Sequence, residues 1–514
     1  MSPDKLAKYE EMKQQLRQGS GEEKVAQQHK RGKLTARERI DQILDGGSFS
    51  ESHAFMTSRS RDFGMEKHHY PGDGVLTGSG TIEGKQVWLA SQDFTILGGS
   101  LGEQHAERIA RAQDMALRTR SPFIQINDSG GARIQEGVLS LDGYGKIFRR
   151  NTKASGIIPQ ISLILGPCAG GAAYSPAITD FVFMVEKVST MYITGPEVIR
   201  AVTQESVTQE ELGGANAHSR KSGNVHFHCP DEASCFDTLK KLLSYLPASC
   251  ESYPPVLETG DDRQRETESL AHIIPQEGTK AYDIRKAIQE VCDNDTFLEV
   301  HKNYAASIVV GFARIDGQSV GIVANQPLVL AGSLDIDSSD KASRFIRFCD
   351  SFHIPIVTMV DVPGYLPGVT QEHGGIIRHG AKFLYAIAEA TVPKIALILR
   401  KAYGGAYIAM ASRSLGYDRV LALPTAEIAV MGAEGAANII FRREIQEAEN
   451  PELLREIKTN AFRELFMNPY VAARLGMVDD VVHPKDARIE LVKSLEVCKG
   501  FERGTANKHG NIPL

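Results

Sequence analysis

"ILGGSLGE" at 96–103 and "VLAGSLDI" at 329–336 decide how this chain is read. They are the first of three landmarks that occur twice. Gly99-Ser100-Leu101 returns as Gly332-Ser333-Leu334, 332 − 99 = 233 residues later. Asp128 of "PFIQINDSGG" returns as Asp361 of "PIVTMVDVPG", at 361 − 128 = 233. Gly170-Gly171 of "ISLILGPCAGGAAYSP" returns as Gly404-Gly405 of "IALILRKAYGGAYIAM", at 404 − 170 = 234. In each copy an apolar run ends in a small-residue turn that opens a helical pattern. Such a turn aims bare backbone N–H groups at a developing negative charge. Two copies imply two oxyanions, one on each partner of a reaction.

Around the landmarks the pattern is βαβ. "VWLASQD" (87–93) reads as a buried strand, followed by a turn at Gly98-Gly99 and a helix over 102–119. "PFIQIND" (122–128) and "PQISLILG" (159–166) are the next strands. The series restarts with "SIVVGFARI" (307–315), "SVGIVAN" (319–325), a helix over 338–352, "PIVTMVD" (355–361) and "KIALILR" (394–400). Short apolar runs alternating with longer helical patterns argue for parallel or mixed sheets covered by helices. The fold class is α/β, with two tandem domains related by internal duplication. The dense charge and Pro254-Pro255 of 250–275 mark a linker. The expected division is an N-terminal domain at 1–258, a linker at 259–275 and a C-terminal domain at 276–514. Residues 1 to about 45 should form surface helices ending near Asp45-Gly46-Gly47, and 451–499 a final helical stretch.

Composition narrows the function. The 514 residues carry a net charge of −6 with both signs interspersed, which disfavours nucleic acid or an anionic membrane surface as partner. No apolar run reaches the length of about 20 residues that spans a bilayer, and the charged start has no signal-peptide core. Seven scattered cysteines argue against a disulfide framework. The expectation is a cytoplasmic protein with reduced thiols.

At 166–176, "GPCAGGAAYSP" follows a strand and precedes a helix. An enolate or ureate oxygen needs two backbone N–H donors at about 2.7–3.1 Å. A Cβ in the wrong place would block that approach, so Gly-Gly and Gly-Ala fit. The alternative is that these glycines only let helix and strand pack closely. Other signals are weaker than they look. Asp128-Ser129-Gly130-Gly131 spells a protease motif, but it ends a buried strand. Cys168 reads as a small thiol in a tight turn. His226, His228, Cys229 and Cys235 have loosely metal-like density, but alternation along a strand splits Cys229 from the two His side chains, so no metal is expected. Glu11-Met12-Lys13 sits in a charged helix and is not read as a biotinylation site. No phosphate-cradling GxxxxGK[ST] loop is present.

"NDSGGARIQEG" (127–137), "GPCAGGAAYSPA" (166–177), "SLDIDSSDKASRFIRFCD" (333–350), "DVPGYLPG" (361–368), "EHGGIIRHGAK" (372–382), "RKAYGGAYIAM" (400–410), "PTAEIAVMG" (424–432) and "KHGNIPL" (508–514) carry a resemblance over nearly the whole chain. It resembles the carboxyltransferase (β) subunits of biotin-dependent acyl-CoA carboxylases, in particular propionyl-CoA carboxylase β chains and their methylmalonyl-CoA carboxyltransferase and decarboxylase relatives. The resemblance implies a crotonase-type fold in each half. It implies a homohexamer whose active sites join the N half of one protomer to the C half of another. The N half would be the acyl-CoA side and the C half the biotin side. Carboxybiotin would arrive on a separate biotin carboxylase or biotin carboxyl carrier subunit, and the other substrate would be acyl-CoA. The thioester oxygen would lie near Gly170 and Gly171, and the biotin ureido oxygen near Gly405 and Ala406.

Substrate contacts are expected at Gly130, Gly131, Ala132, Gly332 and Ser333, and the resemblance assigns 317–350 to acyl-CoA binding. Ile408 is expected to line the acyl pocket, with simple packing as the alternative. Tyr174 and Tyr407 follow the two turns, as core packing or as pocket lining. The basic run His29-Lys30-Arg31-Gly32-Lys33 is a solvated helix face or a contact for CoA phosphates. The favoured activity moves a carboxyl group between carboxybiotin and the α-carbon of a short acyl-CoA, propionyl-CoA to methylmalonyl-CoA. The same half-reaction serves a sodium-pumping methylmalonyl-CoA decarboxylase or a methylmalonyl-CoA:pyruvate transcarboxylase. A non-catalytic CoA-binding scaffold is a reading of another class. A crotonase-type hydratase or hydrolase would need a carboxylate at one hole, with Glu103 or Glu136 the candidates.

Overall fold

A computed structural model of the chain describes residues 3–68, 70–499 and 509–513. Two compact units result: one runs to Ser252 and takes in the segment ending at Pro513, and the other starts at Tyr253.

The first unit holds strands β1 (Ser50–Glu51), β2 (Val75–Ile82), β3 (Lys85–Gln92), β4 (Phe123–Ser129), β5 (Gln160–Ala169), β6 (Phe181–Val185), β7 (Thr190–Tyr192) and β8 (Phe227–Cys229). They form one sheet in the order β1-β2-β3-β4-β5-β6-β8, with β7 added to β5. β2 and β3 are an antiparallel hairpin, whereas β3 to β6 run parallel. Burial explains the parallel part: β4 is buried at every position, as a strand covered on both faces must be. Trp88, Ile109, Phe123, Ile147 and Ile164 belong to its core.

The second unit holds β9 (Leu298–Val300), β10 (Ile308–Ile315), β11 (Gln318–Asn325), β12 (Ile356–Val362), β13 (Lys394–Tyr403), β14 (Arg419–Ala422), β15 (Glu427–Ala429) and β16 (Asp480–Val481). Their order is β16-β14-β13-β12-β11-β10-β9, with β15 on β13. β2, β3 and β4 begin at 75, 85 and 123, and β10, β11 and β12 at 308, 318 and 356, so each offset is 233. The irregularities repeat as well. A register shift falls between Asn127 and Ser129 and again between Val360 and Val362. An isolated parallel bridge joins Leu101 to Ala132 and another joins Leu334 to Tyr365.

The first landmark is where each unit stores backbone strain. Leu97, Gly98 and Gly99 have φ of 51°, 63° and 63°, and Leu330, Ala331 and Gly332 have 50°, 53° and 80°. L residues with side chains enter this region at a cost of roughly 1–2 kcal/mol each. The reason for the third glycine is contact. A Cβ on Gly99 would lie 2.0 Å from the Asp128 carbonyl oxygen, and one on Gly332 would lie 2.6 Å from that of Asp361.

Four expectations change. Residues 259–275 are no free spacer: they belong to the second unit, where Leu270 is fully buried in its core and Thr267 bonds the backbone of Lys485. Their apolar residues are too few to show periodicity, yet one buried leucine and backbone bonds suffice to dock them. The tail joins the first unit rather than the second, because Asn511 donates to Ser155 and Asp180. Lys508 and Leu514 of the "KHGNIPL" motif lie outside the described residues. The helix Ala36–Ile43 is not a surface helix, since Arg39, Ile40 and Ile43 are buried. Finally, β16 interrupts the stretch 451–499.

Candidate functional site

Each unit ends its fifth-strand equivalent in a glycine turn. β5 runs into Gly170 at φ 62°, and β13 into Gly404 at φ 58°. The left-handed glycine lets an extended chain fold directly into a helix, a step any Cβ would strain. A short helical segment Gly170–Ala173, continued by Tyr174–Ile178, follows the first turn, and the helix Gly404–Ala411 follows the second. The opening N–H groups of a helix have no acceptor within it. Gly171 in one turn, and Gly405 and Ala406 in the other, therefore present donors on bare or nearly bare backbone.

The two turns differ in what stands beside them. A Cβ on Gly171 would lie 2.9 Å from the Tyr144 ring, so this glycine is needed for packing as well. A Cβ on Gly405 would meet only the Tyr365 ring, at 3.7 Å, which is ordinary contact. The fold leaves Gly405 bare without requiring it.

Other expected residues gather unequally. Gly131, at φ 105°, runs against the first turn, where a Cβ would lie 3.0 Å from the Ala169 carbonyl. The Gly130 N–H donates to Gly98 at 3.0 Å, and Ala132 bridges to Leu101. Gly332 is tied up in the fold: its N–H donates to Val329 at 2.9 Å and its carbonyl accepts from Asn325 at 3.1 Å. Ser333 donates its own N–H to Leu330. Those two residues sit at the end of β12, one strand from the second turn. Tyr174 is 50 % exposed and Ile408 44 % exposed, whereas Tyr407 is buried and its phenol is pushed up by that burial.

Neither carboxylate that a hydratase would use is free. Glu136 accepts from Ser58, Arg133 and the Glu103 N–H, so it is spent as a cap of the helix Glu103–Thr119. Glu103 pairs with Arg59. Cys168 is fully buried, donates its thiol to the Ala172 carbonyl at 3.2 Å, and is pushed up by desolvation. Among the described residues no group of three His, Cys, Asp or Glu side chains is placed to hold a metal. No helix among them is long and apolar enough to cross a membrane.

What sequence reasoning missed is the pairing of charges behind the turns, with Arg39 and Arg400 as its unread members. Asp128 sits at the β4 bulge with no exposure, ion-paired to Lys33 at 2.7 Å and to Arg39 at 2.9 Å. Arg39 also reaches Glu232 at 2.7 Å. In the second unit Asp361 sits at the equivalent bulge and accepts from Arg400 Nε at 2.9 Å. Arg400 donates further to the carbonyls of Glu277 and Lys280. Burial pushes Lys33 down despite Asp128, and pushes Asp361 up against the pull of Arg400. One signal was visible: in the aligned runs "LILG" and "LILR", Arg400 stands where the first copy has Gly166, a charge set directly after the apolar run of a buried strand.

The basic run divides accordingly. Lys33 turns inward, and His29 pairs with Glu38 at 2.9 Å on the surface. Arg31 joins Lys24, Gln27, Gln28, Phe94 and Gly98 around a cavity of about 240 Å³.

With this geometry in hand, the comparisons with known proteins are direct. The family model "Carboxyl transferase domain" matches residues 27–512. The propionyl-CoA carboxylase carboxyltransferase subunit of Haloferax mediterranei is 54% identical over 512 residues, 99% of each chain. The methylmalonyl-CoA decarboxylase α subunit of Propionigenium modestum is 52% identical over 511 residues, 99% of each chain. A solved transcarboxylase 12S structure, described as a hexamer with methylmalonyl-coenzyme A and methylmalonic acid bound, superimposes with a TM-score of 0.96 at 52% identity, covering 100% of this chain and 99% of that one. The two duplicated units are thus the tandem crotonase-type pair that the resemblance implies. The chain belongs to the carboxyl transferase family, as a carboxyltransferase enzyme of the acyl-CoA carboxylase type.

Proposed function

We propose that the chain is the carboxyltransferase component of a biotin-dependent acyl-CoA carboxylase that carboxylates propionyl-CoA to methylmalonyl-CoA. The observation that carries this reading is the duplicated turn: two left-handed glycines, each ending an equivalent strand and opening a helix. The N–H groups at Gly170 and Gly171 hold the thioester oxygen, on which charge develops as the α-proton leaves. Those at Gly405 and Ala406 hold the ureido oxygen of biotin, and the bare Gly405 Cα fits such an approach. Carboxybiotin, brought by a separate carrier, supplies the carboxyl group and a basic ring nitrogen. Fixed amides need no reorganisation when charge develops, and losing one donor costs about 2.7–4 kcal/mol.

The first unit is then the acyl-CoA side and the second the biotin side. Gly130, Gly131 and Ala132 border the thioester, and Ile408, half-exposed, lines the acyl pocket. Lys24 and Arg31 meet the phosphates of CoA at the cavity beside Phe94. A homohexamer in the cytoplasm is the expected assembly and place.

The test is incubation of the purified chain with methylmalonyl-CoA and free biotin, following loss of the acyl carboxyl group. Decarboxylation that ignores biotin, or none from any acyl-CoA, overturns the reading. A second reading, the decarboxylase or transcarboxylase direction, is favoured by the 52% identity to a decarboxylase α subunit. Co-purifying partners distinguish them: an ATP-using biotinylated chain marks the carboxylase, and a membrane subunit the sodium pump.

A further inference from the structure

The duplicated turns have different neighbours at one equivalent position. The bridge from Leu101 to Ala132 in the first unit is the bridge from Leu334 to Tyr365 in the second, with both residues displaced by 233. A methyl group on one side is therefore a phenol on the other.

That phenol is seated deliberately by the fold. Its ring fills the space a Cβ would take on Gly380, with Cε1 3.0 Å and the hydroxyl oxygen 3.3 Å from that position. The opposite edge, Cε2 and Cδ2, faces Gly405, 3.7 and 3.8 Å from where a Cβ on that residue would lie. The hydroxyl thus points toward the helix Ile376–Glu389 (where Gly380 lies) and away from the turn. It is buried with no hydrogen-bond partner among the described residues, and burial pushes it up to about 12. It stays a neutral phenol at working pH. What reaches the second turn is carbon.

We infer that the Tyr365 ring is the wall against which the fused ring of biotin rests when its oxygen meets the second turn; the first turn has its own ring, Tyr144, but packed tightly against Gly171. This rests on the assignment of the second turn to biotin. The chemistry matches the ligand. Biotin presents apolar ring faces with a polar edge, so it gains dispersion contact from an aromatic wall that also keeps water from the amide hydrogen bonds. Tyr365 is then a selectivity residue, acting through ring carbon rather than through its hydroxyl.

Biotin binding, read by saturation-transfer NMR titration, tests this directly, with coenzyme A binding as the control. Tyr365→Ala should weaken biotin about tenfold and leave coenzyme A within about twofold. Tyr365→Phe should restore the biotin affinity, because the ring edge remains. Circular dichroism confirms that each variant is folded. If folded Tyr365→Ala binds biotin as the parent does, or loses coenzyme A in equal measure, or if Phe fails to restore binding, the inference is wrong. A parent protein that binds no biotin overturns the functional reading itself.

Discussion

Lys33 and Asp128 meet at 2.7 Å in the space that the second unit fills with the Arg400 side chain. A Cβ on Gly166, the equivalent of Arg400, would lie 2.0 Å from Asp128 Oδ1 and 2.7 Å from Lys33 Nζ. The duplicated aspartate thus keeps a cation in both units but draws it from different places. In the second unit it comes from the neighbouring strand; in the first, from Lys33 and Arg39 of the N-terminal arm.

Removing a cation should therefore harm one unit at a time. Arg39→Leu strands Glu232 and leaves Asp128 with Lys33 as its remaining cation, and breaking such a buried pair costs about 3–5 kcal/mol. The single tryptophan, Trp88, lies in the first unit's core and reports its unfolding. Urea titration by Trp88 fluorescence should show the loss for Arg39→Leu. Arg400→Leu should leave the tryptophan transition in place and shift the far-ultraviolet dichroism transition. Equal tryptophan shifts in both variants would contradict this wiring.

His105 sets an acid limit on the first unit. Its Nδ1–H donates to the Asp73 carbonyl at 2.9 Å, and its Nε2 accepts from Gln92 at 3.2 Å. Full burial, with Arg133 nearby, pushes it from 6.5 down to about 3. Between those values the unfolded chain binds a proton that the folded chain refuses. Its contribution is intact above pH 6.5 and is lost as pH falls, at ~1.4 kcal/mol per unit. His105→Asn, which keeps a donor for Asp73 and does not titrate, should flatten the Trp88-detected acid dependence. An unchanged slope would place the acid sensitivity elsewhere.

The two second glycines should separate packing from chemistry. Gly171→Ala drives a methyl into Tyr144 and should lower stability by about 1–3 kcal/mol. Gly405→Ala fits the fold, so its stability should stay within about 0.5 kcal/mol of the parent. It nonetheless crowds the proposed ureido oxygen and should cut biotin-dependent decarboxylation by about 100-fold. Full activity in Gly405→Ala and Gly405→Val would remove that residue from the site.

Among the described residues Lys24 and Arg31 make no ion pair, and both border the cavity beside Phe94. If they meet CoA phosphates, the double alanine variant should raise KM for acyl-CoA about tenfold with kcat unchanged. With a thioester of pantetheine alone, parent and variant should have the same KM. A kcat loss instead, or a KM shift that persists with pantetheine, would exclude the phosphate role.

Much of this molecule is written locally. Strand, turn and helix follow from apolar runs, glycines and periodicity within a dozen residues. That is why the constant offset between Gly99 and Gly332, and between Gly170 and Gly404, already disclosed two like sheets and two like turns. Residue type and spacing also carried the resemblance to carboxyltransferases. The rest depends on distance across the fold. Nothing near Lys33 or Arg39 announces Asp128, and nothing near Leu270 or Asn511 shows which core or surface each will join. Glu136 reads as a candidate base until Ser58 and Arg133 are folded onto it. The offset of 233 pairs Ala132 with Tyr365, but that the Tyr365 ring lies beside Gly405 shows only in the fold. Buried charges and docked segments are chosen by the free energy of partners brought together from far along the chain, and no local pattern encodes those partners.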